Sequence, residues 1–578
     1  MRTSGSRQLL IVSNLYPPHI IGGAEVVAHR QALQLRDRGH RVSVFAGWIS
    51  PPEEVGRLTV EEVDGLRIYR TPVASFHPND NFHDPAIATR FQAVLRAEQP
   101  DVVHFHNLAG LGFSLIPIAH RLGLPSVVTL HDHAGYCFRA TALREDGTIC
   151  DDAEGCAITC LGAVQPRDAG RALPMRLRRD YVSWALGHAD RLVSPSVYLA
   201  DAYRTANAVD PARLTVISNG IDLAPFDGIG PRSADDRAGK IVRFFCAAYL
   251  GIHKGILELL QAAALLTAEP DLAGRWALAI AGDGFLRPQV EAEISQDKFG
   301  HAVTYLGRVP RSRIIEELAA ADVVVLPSLW PENEPVILLE AIAAGRAQLA
   351  TDIGGIPQLV QAGVTGELVP PADAAALAAA MAAYIRSPER AHRQGEASRT
   401  RCSSVSESTT IDALEGIYAG LANSPLSFGP RDPLILCAGD WPLPEVAEIC
   451  NQLYQLESSE CRIRLVWHGW IESEAWQYAA LLWNWSSGAD HVAIQRALRS
   501  GVSILAPADC TMAVGLEASF GAAVTYDTFQ EGKMALAHVS RENQALKKIC
   551  RRTRLAADLI AASAPAIRYH LPTPSIII

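Results

Sequence analysis

Residues 321 to 345, ADVVVLPSLWPENEPVILLEAIAAG, carry the reading on which the fold turns. The apolar, β-branched run Val323 to Leu326 predicts a buried strand. Ser328 to Glu334 then make a polar turn, and Pro335 stands where a helix takes its first residue. The helix that follows, Val336 to Ala344, is apolar nearly all round and is expected to be buried. Glu340 is the only ionisable side chain in that run, and a lone buried carboxylate needs a partner. Glu332 comes just ahead of the helix, where unpaired backbone N–H groups favour an anion such as a phosphate. Two carboxylates beside a phosphate-attracting helix end suggest a sugar nucleotide. The competing account is a solvated acid at the helix start and a satisfied structural acid within it, since helix-start acids are common.

Working outward, Leu9 to Ser13 reads as a first strand, and the loop NLYPPHIIGGAE leads into a helix from Glu25 to about Arg38. Gly22 and Gly23 let backbone approach a ligand at a helix start, although a plain turn explains them as well. Arg41 to Phe45 follows as a strand, which is the spacing of a βαβ unit with a parallel sheet. PDVVHFHN (100–107) predicts a strand ending in His104 and His106, and LPSVVTLHDHAGYC one ending in His131, Asp132 and His133. Ligands of open α/β sheets bind beyond the carboxyl ends of strands, where these histidines fall. Metal binding is their other functional reading, but the spacing matches no strong ligand motif. Lys254 follows a strand and precedes Gly255 and a helix, a place where an ammonium can act as a point charge on phosphate. Gly282 and Gly284 lie in a strand and turn, LAIAGDGFL, and VTYLGRVPR (303–311) forms the next strand and loop.

The chain has 578 residues, too many for one core, and should make two or three domains. It is 49% hydrophobic and 20% charged, and its net charge of −10 argues against a nucleic-acid partner. The start, MRTSGSRQLLIVSNLY, has too short an apolar run for a signal peptide, and no uncharged apolar segment approaches the length of a membrane span. The expectation is a cytoplasmic protein, with peripheral contact at the inner face of a membrane left open. Eleven Cys scattered over this length fit reduced thiols. Four of them, Cys137, Cys150, Cys156 and Cys160, crowd into an insertion at 137–165. They read either as ligands of one structural Zn²⁺ or as unlinked thiols in a lid, and the spacing is not that of paired Cys-x-x-Cys.

The two glutamates of the opening stretch, with the small-residue helix ending in Gly345, resemble the signature of the family 4 retaining glycosyltransferases. The resemblance covers roughly residues 8 to 420. It implies the GT-B fold, an α/β architecture of two Rossmann-like domains facing across a cleft. These would be an acceptor-side domain at 1–225, a donor-binding domain at 240–400 after the NGID linker, and a helix at 401–425 returning to the first. It implies retaining, metal-independent transfer of a hexosyl unit from a nucleotide-diphosphate sugar (UDP or GDP) to a hydroxyl of a glycan or lipid-linked acceptor, in surface polysaccharide synthesis. His131 would then line the cleft near the transferred sugar, Glu332 hydrogen-bond sugar hydroxyls, Glu340 hold the ribose and Lys254 the diphosphate. Helix-start amides at Pro335, Val336 and Ile337 would add to the diphosphate site, backbone near Arg308 would hold the base, and Gly22, Gly23 and Gly282 would complete the donor site. No cofactor is implied. A similar Cys-bearing insertion caps the acceptor side in a subset of the family. Tyr249 departs from the pattern, since the family usually has an arginine there, and one of two phosphate-facing cations is thereby lost.

Residues 430–578 exceed the usual family length. LILCAGDWPLPEVAEI (434–449) parallels LAIAGDGFLRPQVEAEI (278–294), and ALRSGVSILAPADC parallels AIAAGRAQLATDIG. These parallels read as a decayed second copy of the donor half, although any α/β pattern yields partial matches. Aligning Gly501 on Gly345 puts Arg496 opposite Glu340 and Gly488 opposite Glu332, so such a copy would be non-catalytic. Tyr249 and this appendage favour a rival from another class, a scaffold that binds a sugar nucleotide or glycan with little catalysis. The intact Glu332, Glu340, Lys254 and His131 oppose it.

Overall fold

A computed structural model describes residues 6–20, 22–49, 57–74, 76, 82–137, 139–144, 148–150, 175–206, 208–231, 241–296 and 298–421. Beyond these it describes the strand residues 434–438, 464–467, 479–484, 503–507 and 523–526. The chain divides into two compact units, 1–153 with 186–427, and 154–185 with 428–578.

The first unit holds two sheets. One has eight strands: Gln8–Ser13 (β1), Arg41–Ile49 (β2), Thr59–Val63 (β3), Leu66–Val73 (β4), Val102–Phe105 (β5), Ser126–Thr129 (β6), Arg191–Ser194 (β7) and Leu214–Val216 (β8). Their order is β3-β4-β2-β1-β5-β6-β7-β8, parallel throughout except for the β3–β4 pair. Parallel strands are buried on both faces, and β1, β5 and β6 are accordingly buried at every position without alternation. The order reverses between β1 and β5, and the crevice that ligands use opens at such a reversal.

The second sheet has Val242–Ala247 (β9), Trp276–Ala281 (β10), Val303–Gly307 (β11), Val323–Leu326 (β12), Ala347–Thr351 (β13) and Gly366–Val369 (β14). It is wholly parallel, in the order β11-β10-β9-β12-β13-β14, and reverses between β9 and β12. The Val323–Leu326 strand and the helix after it stand where the sequence places them, the helix running Val336–Ala343 with Pro335 as its cap. Leu338, Leu339, Ala341 and Ile342 are fully buried in one of two cores flanking this sheet. The helix Glu407–Leu421 returns to the first sheet: Ile411, Leu414, Tyr418 and Leu421 share a core with Leu9, Ile11 and Val44.

The second unit contains a five-stranded parallel sheet of Leu434–Ala438 (β15), Arg464–Trp467 (β16), Ala479–Asn484 (β17), Ser503–Pro507 (β18) and Ala523–Tyr526 (β19), in the order β16-β15-β17-β18-β19. This is the order of the second sheet with β9 removed. The interval from Val323 to Ala347 equals that from Ala479 to Ser503, and the next one, to Gly366 and to Ala523, agrees within one residue, whereas the two preceding intervals differ by three and five residues. Arg496 and Gly488 lie outside the described residues. Among the described residues no helix is long and apolar enough to cross a membrane.

Candidate active site

A cleft of about 750 Å³ opens between the carboxyl ends of the two sheets of the first unit. Its donor-side wall starts with the loop after β9, which carries Tyr249, His253 and Lys254. Gly255 ends that loop with φ +67, and a Cβ there would lie 1.8 Å from the Pro327 carbonyl oxygen. Only glycine allows the two loops to close so tightly. Gly282, at φ +141, does the same for the next turn, since its Cβ would meet the Ala248 carbonyl oxygen at 1.9 Å. The Gly-rich turn therefore packs against the lysine-bearing loop, and Gly282 does not itself line the cleft. Gly354 and Gly355 press on the backbone of Glu332 and Asn333, and the Gly355 N–H donates to the Glu332 carbonyl at 2.7 Å.

These approaches bring Lys254 to Glu332. The Lys254 Nζ donates to Glu332 Oε1 at 2.6 Å, and the Ser328 hydroxyl donates to the same oxygen at 2.6 Å. Burial works to raise the Glu332 pKa, but the lysine charge and the two hydrogen bonds outweigh it and leave the pKa below the ordinary value. Lys254 also lies 4.7 Å from the Trp330 ring centroid, a cation–π contact. Glu340, on the buried helix, is raised above the ordinary carboxylate range by burial, which Arg311 opposes by a direct ion pair.

Arg311 is a partner that the sequence did not announce. It sits at the start of the helix Arg311–Ala320, after the loop that holds Arg308. Arg308 is exposed and does not line the cleft. Glu334 is the second residue missed. Its Oε2 accepts from the Asn219 N–H at 2.6 Å, tying the donor-side loop to the end of the first half. Burial pushes its pKa up to about 7 despite hydrogen bonds from Ser218 and Asn219. The acid before Pro335 and the NGID turn were each visible in sequence, but nothing in sequence pairs them.

The opposite wall is built on histidine. His106 Nδ1 and His131 Nε2 share a hydrogen bond of 2.9 Å, with their rings stacked at 5.2 Å between centroids. Beneath them His104 is fully buried, bonded to the hydroxyls of Tyr418 and Thr129 at 2.7 Å each. Burial lowers His131 to about 4, His104 to about 3, and His106 well below the ordinary value. His133 is likewise lowered to about 4 by burial, and its ring is bonded to the Tyr136 hydroxyl at 2.5 Å. Gly22 and Gly23 face the start of the Glu340 helix: a Cβ on Gly23 would stand 3.9 Å from Val336. The Gly22 N–H is already engaged, donating to Glu25 Oε2 at 2.7 Å, while Pro335, Val336 and Ile337 line the cleft beside it.

The structure thus brings His131, Lys254, Glu332, Gly22, Gly23, Pro335, Val336 and Ile337 to one cleft, with Glu340 buried behind it. Cys137 is buried and Cys150 partly so; Cys156 and Cys160 lie outside the described residues. Among the described residues no group of three or more His, Cys, Asp or Glu is placed to hold a metal ion.

Residues 21–225 match the family described as Glycosyltransferase Family 4, and residues 236–401 match Glycosyl transferases group 1. Together the two matches take in both sheets of the first unit except β1, and every lining residue of the cleft except Asn14. The chain belongs to the family 4 glycosyltransferases. A glycogen synthase of Mycobacterium tuberculosis is 27% identical over 448 residues, covering 74% of this chain and 98% of that protein. A D-inositol 3-phosphate glycosyltransferase of Mycolicibacterium vanbaalenii is 29% identical, covering 60% of this chain and 74% of its own. In fold, the chain is similar to sucrose-phosphate synthase of Thermosynechococcus elongatus, with a TM-score of 0.53 and 20% identity over 72% of this chain and 98% of that one. The enzyme is a GT-B glycosyltransferase.

Proposed function

We propose that this glycosyltransferase moves a hexosyl unit from a UDP- or GDP-sugar to a hydroxyl of a glycan or lipid-linked acceptor, with retention at the anomeric carbon. The observation that carries the reading is the Lys254–Glu332 pair at the mouth of the Glu340 helix, facing His131 across the cleft. Breaking the bond from sugar to diphosphate leaves negative charge on phosphate and positive character on the sugar. Lys254 and the N–H groups at the helix start answer the first, as a charge and dipoles already aimed at the departing group. When Lys254 turns to phosphate, the ionised Glu332 is released to accept hydrogen bonds from sugar hydroxyls. Glu340 accepts from the ribose, and His131, held neutral, positions the transferred sugar. Retention requires the acceptor oxygen to approach the face from which the diphosphate departs. Charge stabilisation from the protein alone makes a metal unnecessary in this scheme. The acceptor reading extends to surface polysaccharide synthesis in the cytoplasm, with the protein resting at a membrane where the acceptor is lipid-linked. We further infer that the second unit derives from a copy of the donor half, supported by its strand order and intervals. Among its described residues there is no β9 equivalent, the strand that in the donor half leads into the Lys254 loop.

The test is thermal stability of the purified protein with UDP-, GDP- and ADP-sugars, repeated with Glu340→Ala and Lys254→Ala. Stabilisation by one nucleotide that both substitutions abolish supports the reading and fixes the base. NMR of the product's anomeric proton then decides retention. Binding without transfer to any acceptor would favour the scaffold alternative, for which Tyr249 is the specific observation.

A further inference from the structure

Among the described residues, the side chains lining the cleft include four acidic residues, Glu25, Asp132, Glu332 and Glu334, but only one lysine and no arginine. That lysine, Lys254, is already paired with Glu332. A nucleotide sugar would carry two further negative charges into this wall. The site therefore needs a second positive charge, and a histidine is the group that can gain one near neutral pH.

Three histidines line the cleft. His131, partly exposed, is bonded to His106, and the buried His133 to Tyr136, and burial lowers both to about 4. His253 differs in its bonding and in its neighbour. It is half-buried, adjoins Lys254, and neither of its ring nitrogens has a hydrogen-bond partner among the described residues. Its ring is nonetheless seated firmly. It stacks on Tyr249 at 6.2 Å between centroids and 26° between planes, and meets the Trp330 ring edge-on at 5.1 Å. Gly251 makes room for it, since a Cβ there would come within 2.7 Å of the imidazole Cε1. The charged groups that face it are Lys254, which disfavours protonation, and Glu332, which favours it. With burial they leave the free imidazole below its ordinary value, hence neutral at pH 7.5.

We propose that His253 is a diphosphate-binding residue that takes up one proton when the donor binds and so supplies the second cation at the leaving group. The inference rests on the nucleotide-sugar reading above. Two diphosphate charges beside the ring raise its proton affinity and offset the Lys254 charge that had opposed protonation. Linkage then requires donor affinity to fall as pH rises, by up to about tenfold per pH unit, between the free and bound pKa of His253.

Isothermal titration of the full-length protein with UDP-glucose, GDP-mannose and ADP-glucose tests this, because their diphosphates have no group that titrates near neutrality. Each is run at pH 7.5 in two buffers of different ionisation enthalpy, HEPES and Tris. The expected result is uptake of close to one proton per nucleotide sugar bound, with affinity falling from pH 7 to 8.5. In His253→Asn the uptake and the pH dependence should vanish and affinity drop about tenfold or more. His253→Arg should restore affinity without proton uptake, which a merely structural role for the ring would not allow. Glu334→Gln is the control for the other group that titrates near pH 7, and it should leave the uptake intact. Binding without proton uptake, or uptake that survives in His253→Asn, overturns the inference while leaving the nucleotide-sugar reading standing. Heat from none of the three ligands overturns both.

Discussion

One wall of the cleft is made of ion pairs and the other of neutral imidazoles. On the donor side Lys254 meets Glu332 and Arg311 meets Glu340, each carboxylate buried and each matched to a cation. On the first-half side His104, His106, His131 and His133 are held uncharged by burial. The difference follows the chemistry expected at each wall. Charge develops where a diphosphate departs, and a sugar or an acceptor hydroxyl needs hydrogen-bonding groups that carry no charge of their own. It also means that the two walls respond oppositely to substitution and to pH.

The largest effect is expected at Lys254. Lys254→Ala removes the phosphate-facing charge and leaves Glu332 buried without its counter-ion, a loss of about 3–5 kcal/mol when one partner of a buried pair goes. Both kcat and melting temperature should fall, kcat by about 10³-fold. Lys254→Ala combined with Glu332→Gln separates the two: it should recover most of the melting temperature and none of the activity. Recovery of activity would mean that the pair is structural and that the donor wall has been misread.

Next comes the Arg311–Glu340 pair. Glu340→Ala should weaken nucleotide-sugar binding by about 10- to 100-fold, or about 1.4–2.8 kcal/mol, the range of a lost charged hydrogen bond. Arg311→Ala acts differently. Without Arg311 the Glu340 pKa climbs further above the ordinary value, so donor affinity should gain a pH dependence, weakening as pH falls and Glu340 protonates. Affinity measured between pH 6 and 8 checks this, and a flat profile would show that Arg30, the other nearby cation, suffices to keep Glu340 ionised.

The pH response of stability sets the walls against each other. The histidines have depressed values, so the unfolded chain binds more protons than the folded one below pH 6.5, and stability falls as pH drops from 6.5 toward 4. Each such group contributes up to about 1.4 kcal/mol per pH unit. Glu334 has a raised value of about 7, so its contribution is present at low pH and is lost as pH rises from about 4.5 through 7. Glu334→Gln should therefore steepen the acid-side loss of stability and raise stability above pH 7, by at most about 3 kcal/mol. Melting curves of both proteins from pH 5 to 8.5 measure the difference directly, and superimposable curves would mean that Glu334 ionises freely.

The donor wall was the more legible one in sequence, for a physical reason. Glu332, Pro335 and Glu340 occupy one continuous strand, turn and helix, so their relation is fixed by local geometry and is read from spacing. Lys254 and Gly255 were legible through the same strand-to-helix logic. Arg311 and Asn219 were not, because each reaches its carboxylate across separate loops, and no periodicity reports such a pairing. Gly282 misled in another way: its glycine is required by the Ala248 carbonyl, not by a ligand. The histidine wall lies between. His104 lies in β5 and His106 just beyond its end, on the same face by strand alternation, and β5 pairs with β6, which ends before His131. That His131 stacks on His106 depends on a parallel register that sequence does not supply.

The smallest effect is expected at His106, where it bears on how the neutral wall works. Its Nδ1 bonds to His131, while its Nε2 is buried without a hydrogen-bond partner among the described residues. A buried N–H left unmade costs more than a buried lone pair, so the proton belongs on Nδ1 and is donated to His131 Nε2. That fixes the His131 proton on Nδ1, and His131 becomes a tautomer-locked donor instead of an adaptable one. His106→Phe removes the lock and should lower kcat by a few-fold with the donor KM unchanged. His106→Asn, whose amide can still donate to His131, should recover part of the loss. Equal losses in the two variants would show that His106 only packs, and an increase in donor KM would move its influence to the other wall.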